Sequence, residues 1–386
     1  MHWRSKLIHH QAQLPEGFRS LCAPVYRAST VLFSSQTQVC NDWKTETLYS
    51  YGLYGTPTSL ELASRIAELE GARHTFLLPS GQAAILLIYL SFCESGSHAL
   101  VPLNAYGPNR ELAGSLLKGL GIEVEPYDPL VGVNIESLIR PNTSLIWCES
   151  PGSVTFEVQD VPAIVKVAHS KNIHVALDNS WASGVLFDAF AHGVDVSMQA
   201  LTKYVGGHSD LLLGSVSASN EELYERIGKI WRQMGQAVSP DECSLALRGL
   251  QTLGVRLEKL EKSALEIAEW LAKRDEVEAV FHPALPSCPG HEIWKRDFTG
   301  SSSVFSVLFK SQYSAEQLCA FVDALKLFGI GLSWGGVQSL AVIFPKLDRP
   351  GKDHYRTHLV RFNIGLEEPI DLMNDISAAI MQCLNS

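Results

Sequence analysis

The stretch A-L-T-K-Y-V-G-G-H-S-D, running from Ala200 to Asp210, places Lys203 in a turn rich in glycine and hydroxyl groups. Asp178 lies 25 positions earlier in V-A-L-D-N-S-W, and each residue follows a strand-like apolar run. A single lysine in a turn is commonly a surface residue, and a single aspartate after a strand is commonly a helix cap or a loop carboxylate. Together they carry more weight, because open α/β sheets place ligand-binding groups beyond the carboxyl ends of their strands.

Pyridoxal phosphate needs such a pair. Its aldehyde must be held by an amine as a Schiff base, and a carboxylate must keep its ring nitrogen protonated so that the ring draws electrons. The expectation is that Lys203 supplies the amine and Asp178 the carboxylate. A third element fits the same ligand. Pro79-Ser80-Gly81-Gln82-Ala83-Ala84 follows a strand and opens an apolar helix, where free backbone N–H groups form a phosphate site and Gly81 permits close approach. Read alone, Ser80 is an ordinary helix cap. The nucleotide patterns G-x-x-x-x-G-K-[ST] and G-x-G-x-x-G are absent.

Further residues gain meaning from this company. Thr202 either donates to a phosphate or shapes the turn. Tyr106, in N-A-Y-G-P, follows a strand and either covers a planar ring or packs the turn. Arg361 interrupts the apolar run L-V-R-F-N-I-G-L, where its planar fork suits the carboxylate of an amino acid or an ion pair at a strand edge.

Around these residues the chain alternates. Thr75 to Leu78, Ala99 to Pro102, Leu145 to Cys148, Ile173 to Leu177, Asp195 to Ala200 and Gly214 to Val216 read as buried strands. Helical patterns at Ser59 to Leu69, Arg110 to Leu120 and Val161 to Ser170 precede or separate them, which points to an α/β fold with a mostly parallel sheet. A long helix with an apolar face at Leu250, Leu253, Leu257 and Leu260 leads into a smaller α+β unit, with strands at Ser303 to Phe309 and His358 to Ile364 and a helix at Ala315 to Leu325. The expected division is an arm over residues 1–54, a large cofactor-binding domain over 55–245 and a C-terminal domain over 246–386. The arm mixes Pro, Tyr, Ser and Thr without periodicity, as an extended segment does.

Composition bounds the partners. With 386 residues and 46% hydrophobic content the chain can bury two cores, and its formal charge of −10, without a basic block, argues against nucleic acid. The eight cysteines show neither C-x-x-C nor zinc-ligand spacing, so no metal site is expected. The N-terminus lacks an apolar signal region and the longest apolar stretch, around Ala83 to Cys93, is too short for a membrane span, so a cytoplasmic location is expected.

These residues, in this order, resemble the cysteine/methionine-metabolism family of pyridoxal-phosphate enzymes over nearly the whole chain, most of all its bacterial β-lyase branch acting on cystathionine. The resemblance rests on Y-G-x-x-G-T-P-T at Tyr51, E-S-P-G-S at Glu149, L-D-N-S-W-A-S-G-V-L-F at Leu177, T-K-Y-V-G-G-H-S-D at Thr202, H-P-A-L-P at His282, W-K-R-D-F-T-G-S-S at Trp294 and S-W-G-G at Ser333. It implies a type I aminotransferase-like fold, assembled as dimers or tetramers with active sites shared between subunits. It implies that Lys203, Asp178 and Tyr106 are catalytic and hold the cofactor, with Ser80, Gly81, Gln82 and Thr202 around the phosphate and Tyr51 reaching it from the neighbouring subunit. Arg361, Ser333 and Trp334 would bind an amino-acid thioether. The implied reaction is carbon–sulfur β-elimination from cystathionine or a related S-substituted cysteine. γ-Chemistry at the same lysine, and a non-catalytic role on the same fold, are the alternatives.

Four positions depart from the family pattern. Leu53 stands where an arginine normally reaches the phosphate, a charge-assisted bond worth on the order of 1.5–3 kcal/mol. Ala200 replaces a frequent phosphate-binding serine. Leu332 and Gln338 flank S-W-G-G where a β-lyase of this family carries tyrosine and glutamate, which changes the wall facing the substrate.

Overall fold

A computed structural model describes residues 2–8, 20–39, 49–344, 347, 352–353 and 355–384. Its centre is a sheet of seven strands: β1 (His74–Leu78), β2 (His98–Pro102), β3 (Glu123–Tyr127), β4 (Thr143–Glu149), β5 (His174–Asp178), β6 (Val196–Gln199) and β7 (Gly214–Ala218). Their spatial order is β1-β7-β6-β5-β4-β2-β3. The pairs from β6 through β3 are parallel, and only β7 runs antiparallel to its neighbours β1 and β6. Strands such as β2 and β6 are buried at every residue. That explains why they read as continuous apolar runs, since helices cover both faces of the sheet.

The expected strands are all present, and β3 is an addition. Its sequence E-V-E-P-Y carries charges and a proline, which are tolerated because it is an edge strand with one side unpaired. Helix α1 (Trp3–Ile8) is a correction to the extended arm: Leu7 is buried in the core shared with the long helix described below. Six residues cannot display a 3.6-residue repeat, so this helix depends on docking. Residues 9–19 and 40–48 of the expected arm lie outside the described residues.

Helix α2 (Pro57–Glu70) starts at a Thr56/Ser59 capping box and stops at Gly71 in the left-handed region. Helix α3 (Gly81–Phe92) is capped by Ser80, whose hydroxyl accepts from the Ala83 N–H at 3.1 Å. The expected helix at 110–120 begins earlier, as α4 (Gly107–Leu112), and continues through a π-helical segment at Ala113–Leu117. Helices α5 (Val161–Ser170) and α6 (Glu221–Met234) complete the cover of the sheet.

Helix α7 (Pro240–Leu271) joins the two parts of the molecule. Leu250, Leu253, Leu257 and Leu260 pack in the core with α1 and α2, whereas Ala264, Ile267, Ala268 and Leu271 pack in the core of the second sheet. The expected limit at 245/246 thus falls inside one unbroken helix, and the change of core comes between Leu260 and Ala264. The second sheet contains β8 (Val277–Phe281), β9 (Val304–Phe309), β10 (Gly329–Ile330), β11 (Leu340–Ile343) and β12 (Leu359–Asn363), in the order β10-β11-β12-β9-β8. All its pairs are antiparallel except β10 with β11. Among the described residues no helix is long and apolar enough to cross a membrane.

Candidate active site

The carboxyl ends of the parallel strands open into a cavity of about 230 Å³, lined by residues from both sheets. Asp178 ends β5 directly opposite Glu149 at the end of β4. Burial pushes the Asp178 carboxyl above its ordinary range, opposed by the hydrogen bond from the Ser180 N–H at 3.0 Å and by the nearby Lys203 charge. A cation placed against this carboxylate would offset its desolvation.

Lys203 enters from the turn after β6. Its amine donates to the Ser333 hydroxyl at 2.9 Å and lies 5.4 Å from the centre of the Trp334 ring. Burial and the Arg361 charge bring its pKa from 10.5 to about 8, against a smaller pull upward from Asp178. The amine is therefore far closer to neutrality than a surface lysine.

The S-W-G-G segment explains how two distant stretches form one site. Gly335 has φ +84°, and a Cβ there would lie 3.1 Å from the Lys203 carbonyl carbon and the Tyr204 nitrogen. At Gly336 a Cβ would stand 2.5 Å from the Ser209 hydroxyl. Two glycines let this loop lie directly on the lysine turn, and the Gly335 N–H is fixed by Asn363 Oδ1 at 3.0 Å. Ser333 was expected at a substrate carboxylate; here it is on the lysine amine.

Arg361 projects from β12 and is 6% exposed. Its Nη2 donates to the carbonyls of Leu332 at 2.7 Å and Ser333 at 3.2 Å, and its guanidinium carbon lies 4.7 Å from the Phe344 ring centre. Both bonds use Nη2, so among the described residues Nη1 and Nε remain for an anion. Burial lowers its pKa to about 10, still well above neutrality.

The remaining expected residues divide. Ser80, Gly81, Gln82 and Tyr106 line the cavity, with the first turn of α3 directed at it. The Tyr106 N–H donates to Glu149 Oε2 at 2.8 Å, and burial, then Asp178 and Glu149, raise its hydroxyl pKa. Thr202 lines the cavity too, but its hydroxyl donates to the Leu213 carbonyl and accepts from the Leu213 N–H, both at 3.1 Å, so it shapes the turn. Tyr51 is absent from this chain's own cavity lining and is 45% exposed. Leu53 lines a separate hollow with Tyr54 and Trp231.

Several lining residues carried no sequence expectation of their own. Val154 and Phe156 both adopt positive φ, 66° and 53°, a costly conformation for non-glycine residues. The C-terminal part of the chain helps to hold it: the hydroxyl of Ser306, in β9, donates to the Val154 carbonyl at 2.6 Å, and the thiol of Cys288, in the turn after β8, to that of Phe156 at 3.3 Å. The segment E-S-P-G-S at Glu149 marks the start of this loop, yet nothing local in it encodes the strain.

The residues fit pyridoxal phosphate. A lysine whose pKa is drawn down to about 8, a desolvated carboxylate close to it, an exposed tyrosine ring and the amides at the start of α3 all face one cavity. Such a site on a mostly parallel sheet with a second, antiparallel sheet defines a pyridoxal-phosphate-dependent enzyme. The chain belongs to the Cys/Met metabolism PLP-dependent enzymes, whose family model matches residues 4–381. It is 42% identical to the cystathionine beta-lyase of Escherichia coli over 85% of each chain. It is also 40% identical to the L-alanine/L-glutamate racemase of Wolbachia pipientis, over 95% of this chain and 94% of that protein. In structure it is similar to the metB protein of Corynebacterium glutamicum, with a TM-score of 0.91, 28% identity and coverage of 99% and 98% of the two chains.

Proposed function

We propose that the chain is a carbon–sulfur β-lyase that converts an S-substituted L-cysteine and water into a thiol, pyruvate and ammonia. The observation that carries this reading is the Lys203 amine, drawn down to a pKa of about 8 and held by Ser333 beside Arg361 and Trp334. The likeness to cystathionine beta-lyases supports β- over γ-elimination, as does a tryptophan in S-W-G-G.

When bound, pyridoxal phosphate supplies an electron sink that stabilises negative charge at the substrate Cα. Arg361 binds the substrate carboxylate through Nη1 and Nε, which fixes Cα near Lys203. Lys203, neutral in a large fraction near pH 8, removes the Cα proton and returns a proton to the departing sulfur. Ser333 orients the amine by accepting from it. Asp178 would hold negative charge against the protonated ring nitrogen, and the α3 amides with Ser80, Gly81 and Gln82 would hold the phosphate. The Tyr106 ring would cover the cofactor. The chain assembles as a dimer or tetramer in which Tyr51, exposed and outside its own cavity, serves the neighbouring site.

The test is release of pyruvate from S-substituted cysteines by the purified holoenzyme, alongside Lys203→Ala. Pyruvate formation that the substitution abolishes is expected; 2-oxobutyrate in its place assigns γ-chemistry, and absence of both keto acids refutes the reading. The 40% identity to the racemase supports a second use of the same step. Alanine has no leaving group at Cβ, so after loss of its Cα proton it can only be reprotonated. Conversion of L-alanine to the D-form by the wild type, lost in Lys203→Ala, would establish it.

A further inference from the structure

We propose that the preferred substrates are cysteine thioethers whose sulfur carries an uncharged, apolar substituent, rather than thioethers that end in a second amino-acid group. This rests on the β-lyase reading and concerns the part of the cavity beyond the sulfur.

Four charged residues line the cavity among those described: Glu149, Asp178, Lys203 and Arg361. Each is committed. Glu149 is 7% exposed and accepts the Tyr106 N–H, which ties it to the shape of the loop. Asp178 belongs to the cofactor nitrogen, Lys203 to proton transfer and Arg361 to the carboxylate of the reacting amino acid. A second ammonium and carboxylate, at the far end of a substrate such as cystathionine, would find no opposite charges left among these side chains, and Tyr51, proposed above to serve the site from the neighbouring subunit, brings no charge either. Charged groups that lose water without a partner are strongly disfavoured. Gln338, an uncharged side chain, is exposed and lies outside the lining.

The wall itself has the opposite character. Leu332 and Leu212 line the cavity while remaining 73% and 61% exposed, an unusual state for two leucines at one opening. Val154, Phe156 and Trp334 continue the apolar surface inward. Val154 and Phe156 hold this position at positive φ, so the apolar lining is kept against the backbone preference. An alkyl or aryl group on sulfur would cover the two leucines on binding and remove apolar surface from water on both partners. The main chain of Leu332 meanwhile accepts from Arg361, so the residue that presents the apolar side chain also positions the guanidinium.

The experiment compares kcat/KM for pyruvate release from S-benzyl-L-cysteine, S-propyl-L-cysteine and L-cystathionine with the full-length holoenzyme, then repeats it with Leu332→Arg. The expected result is that S-benzyl-L-cysteine exceeds cystathionine by about tenfold or more, a difference of about 1.4 kcal/mol in the barrier. Leu332→Arg should narrow that ratio by supplying a cation for the second carboxylate. Equal or better use of cystathionine by the wild type overturns the proposal. So does an unchanged ratio in Leu332→Arg, and light scattering that showed altered assembly in that variant would then assign Leu332 to an interface between subunits. Absence of pyruvate from all three substrates removes the lyase reading itself, and with it this inference.

Discussion

Raising the pH from 7 to 9 around the cofactor-free protein tests the environment of Lys203. Only the neutral amine attacks an aldehyde. With a pKa of about 8, its neutral fraction rises from about one-tenth at pH 7 to about nine-tenths at pH 9 and then levels off. A lysine at 10.5 would be neutral in roughly 0.03% of molecules at pH 7 and about 3% at pH 9, with no plateau in that range. Capture of added pyridoxal phosphate, followed by the absorbance of lysine-bound cofactor, should therefore accelerate about tenfold and saturate. Arg361→Met removes a cation that lowers the pKa and should move the midpoint up; Asp178→Asn removes an anion that raises it and should move the midpoint down. The same shift enters stability with a definite sign. Between about 8 and 10.5 the unfolded chain holds more protons than the folded one, so stability gains with pH in that window and the folded form is penalised below it. A capture rate that still climbs steeply above pH 10, or that ignores Arg361→Met, would refute this account of the site.

Other perturbations read other parts of the site. Asp178→Asn should still hold the cofactor, but turnover should fall on the order of a hundredfold or more, because a carboxylate aimed at developing charge is lost; near-normal kcat would exclude Asp178 from that role. Gly335→Ala forces a side chain to φ +84° and a Cβ to 3.1 Å from the Lys203 backbone. It should cost about 1–2 kcal/mol in a thermal or denaturant melt and lower activity more than Gly114→Ala, where a Cβ meets open space. Ser306→Ala leaves the Val154 carbonyl without its partner, a loss of about 1–3 kcal/mol in stability. It should raise KM more than it lowers kcat, since the loop lines the cavity and carries no reacting group.

Features set by near neighbours are legible in the amino-acid sequence. Asp178 and Lys203 follow apolar strand runs, Ser80 caps a helix that opens at Gly81, and Arg361 interrupts an apolar strand, all set by residues within a few positions of one another. The edge strand β3 is not legible in this way, because its partner on one side, not its own composition, makes it a strand. Helix α1 is hidden for a different reason: six residues have no repeat to read until α7 covers them.

By itself the sequence determined the mostly parallel sheet, the lysine, carboxylate and helix start at its edge, and hence the cofactor. The tertiary structure alone decided that Ser333, 130 residues away, accepts from the lysine amine, and that Leu213 occupies the Thr202 hydroxyl. It also decided that Ser306 and Cys288 help hold Val154 and Phe156 at positive φ, and that two exposed leucines end up at the cavity mouth. Strand runs and helix caps are short-range hydrogen-bonding and burial preferences, written in neighbouring residues. Which hydroxyl meets which amine, and which strained turn is held, depends on distant parts of the chain packing into shared cores, and no local pattern records that.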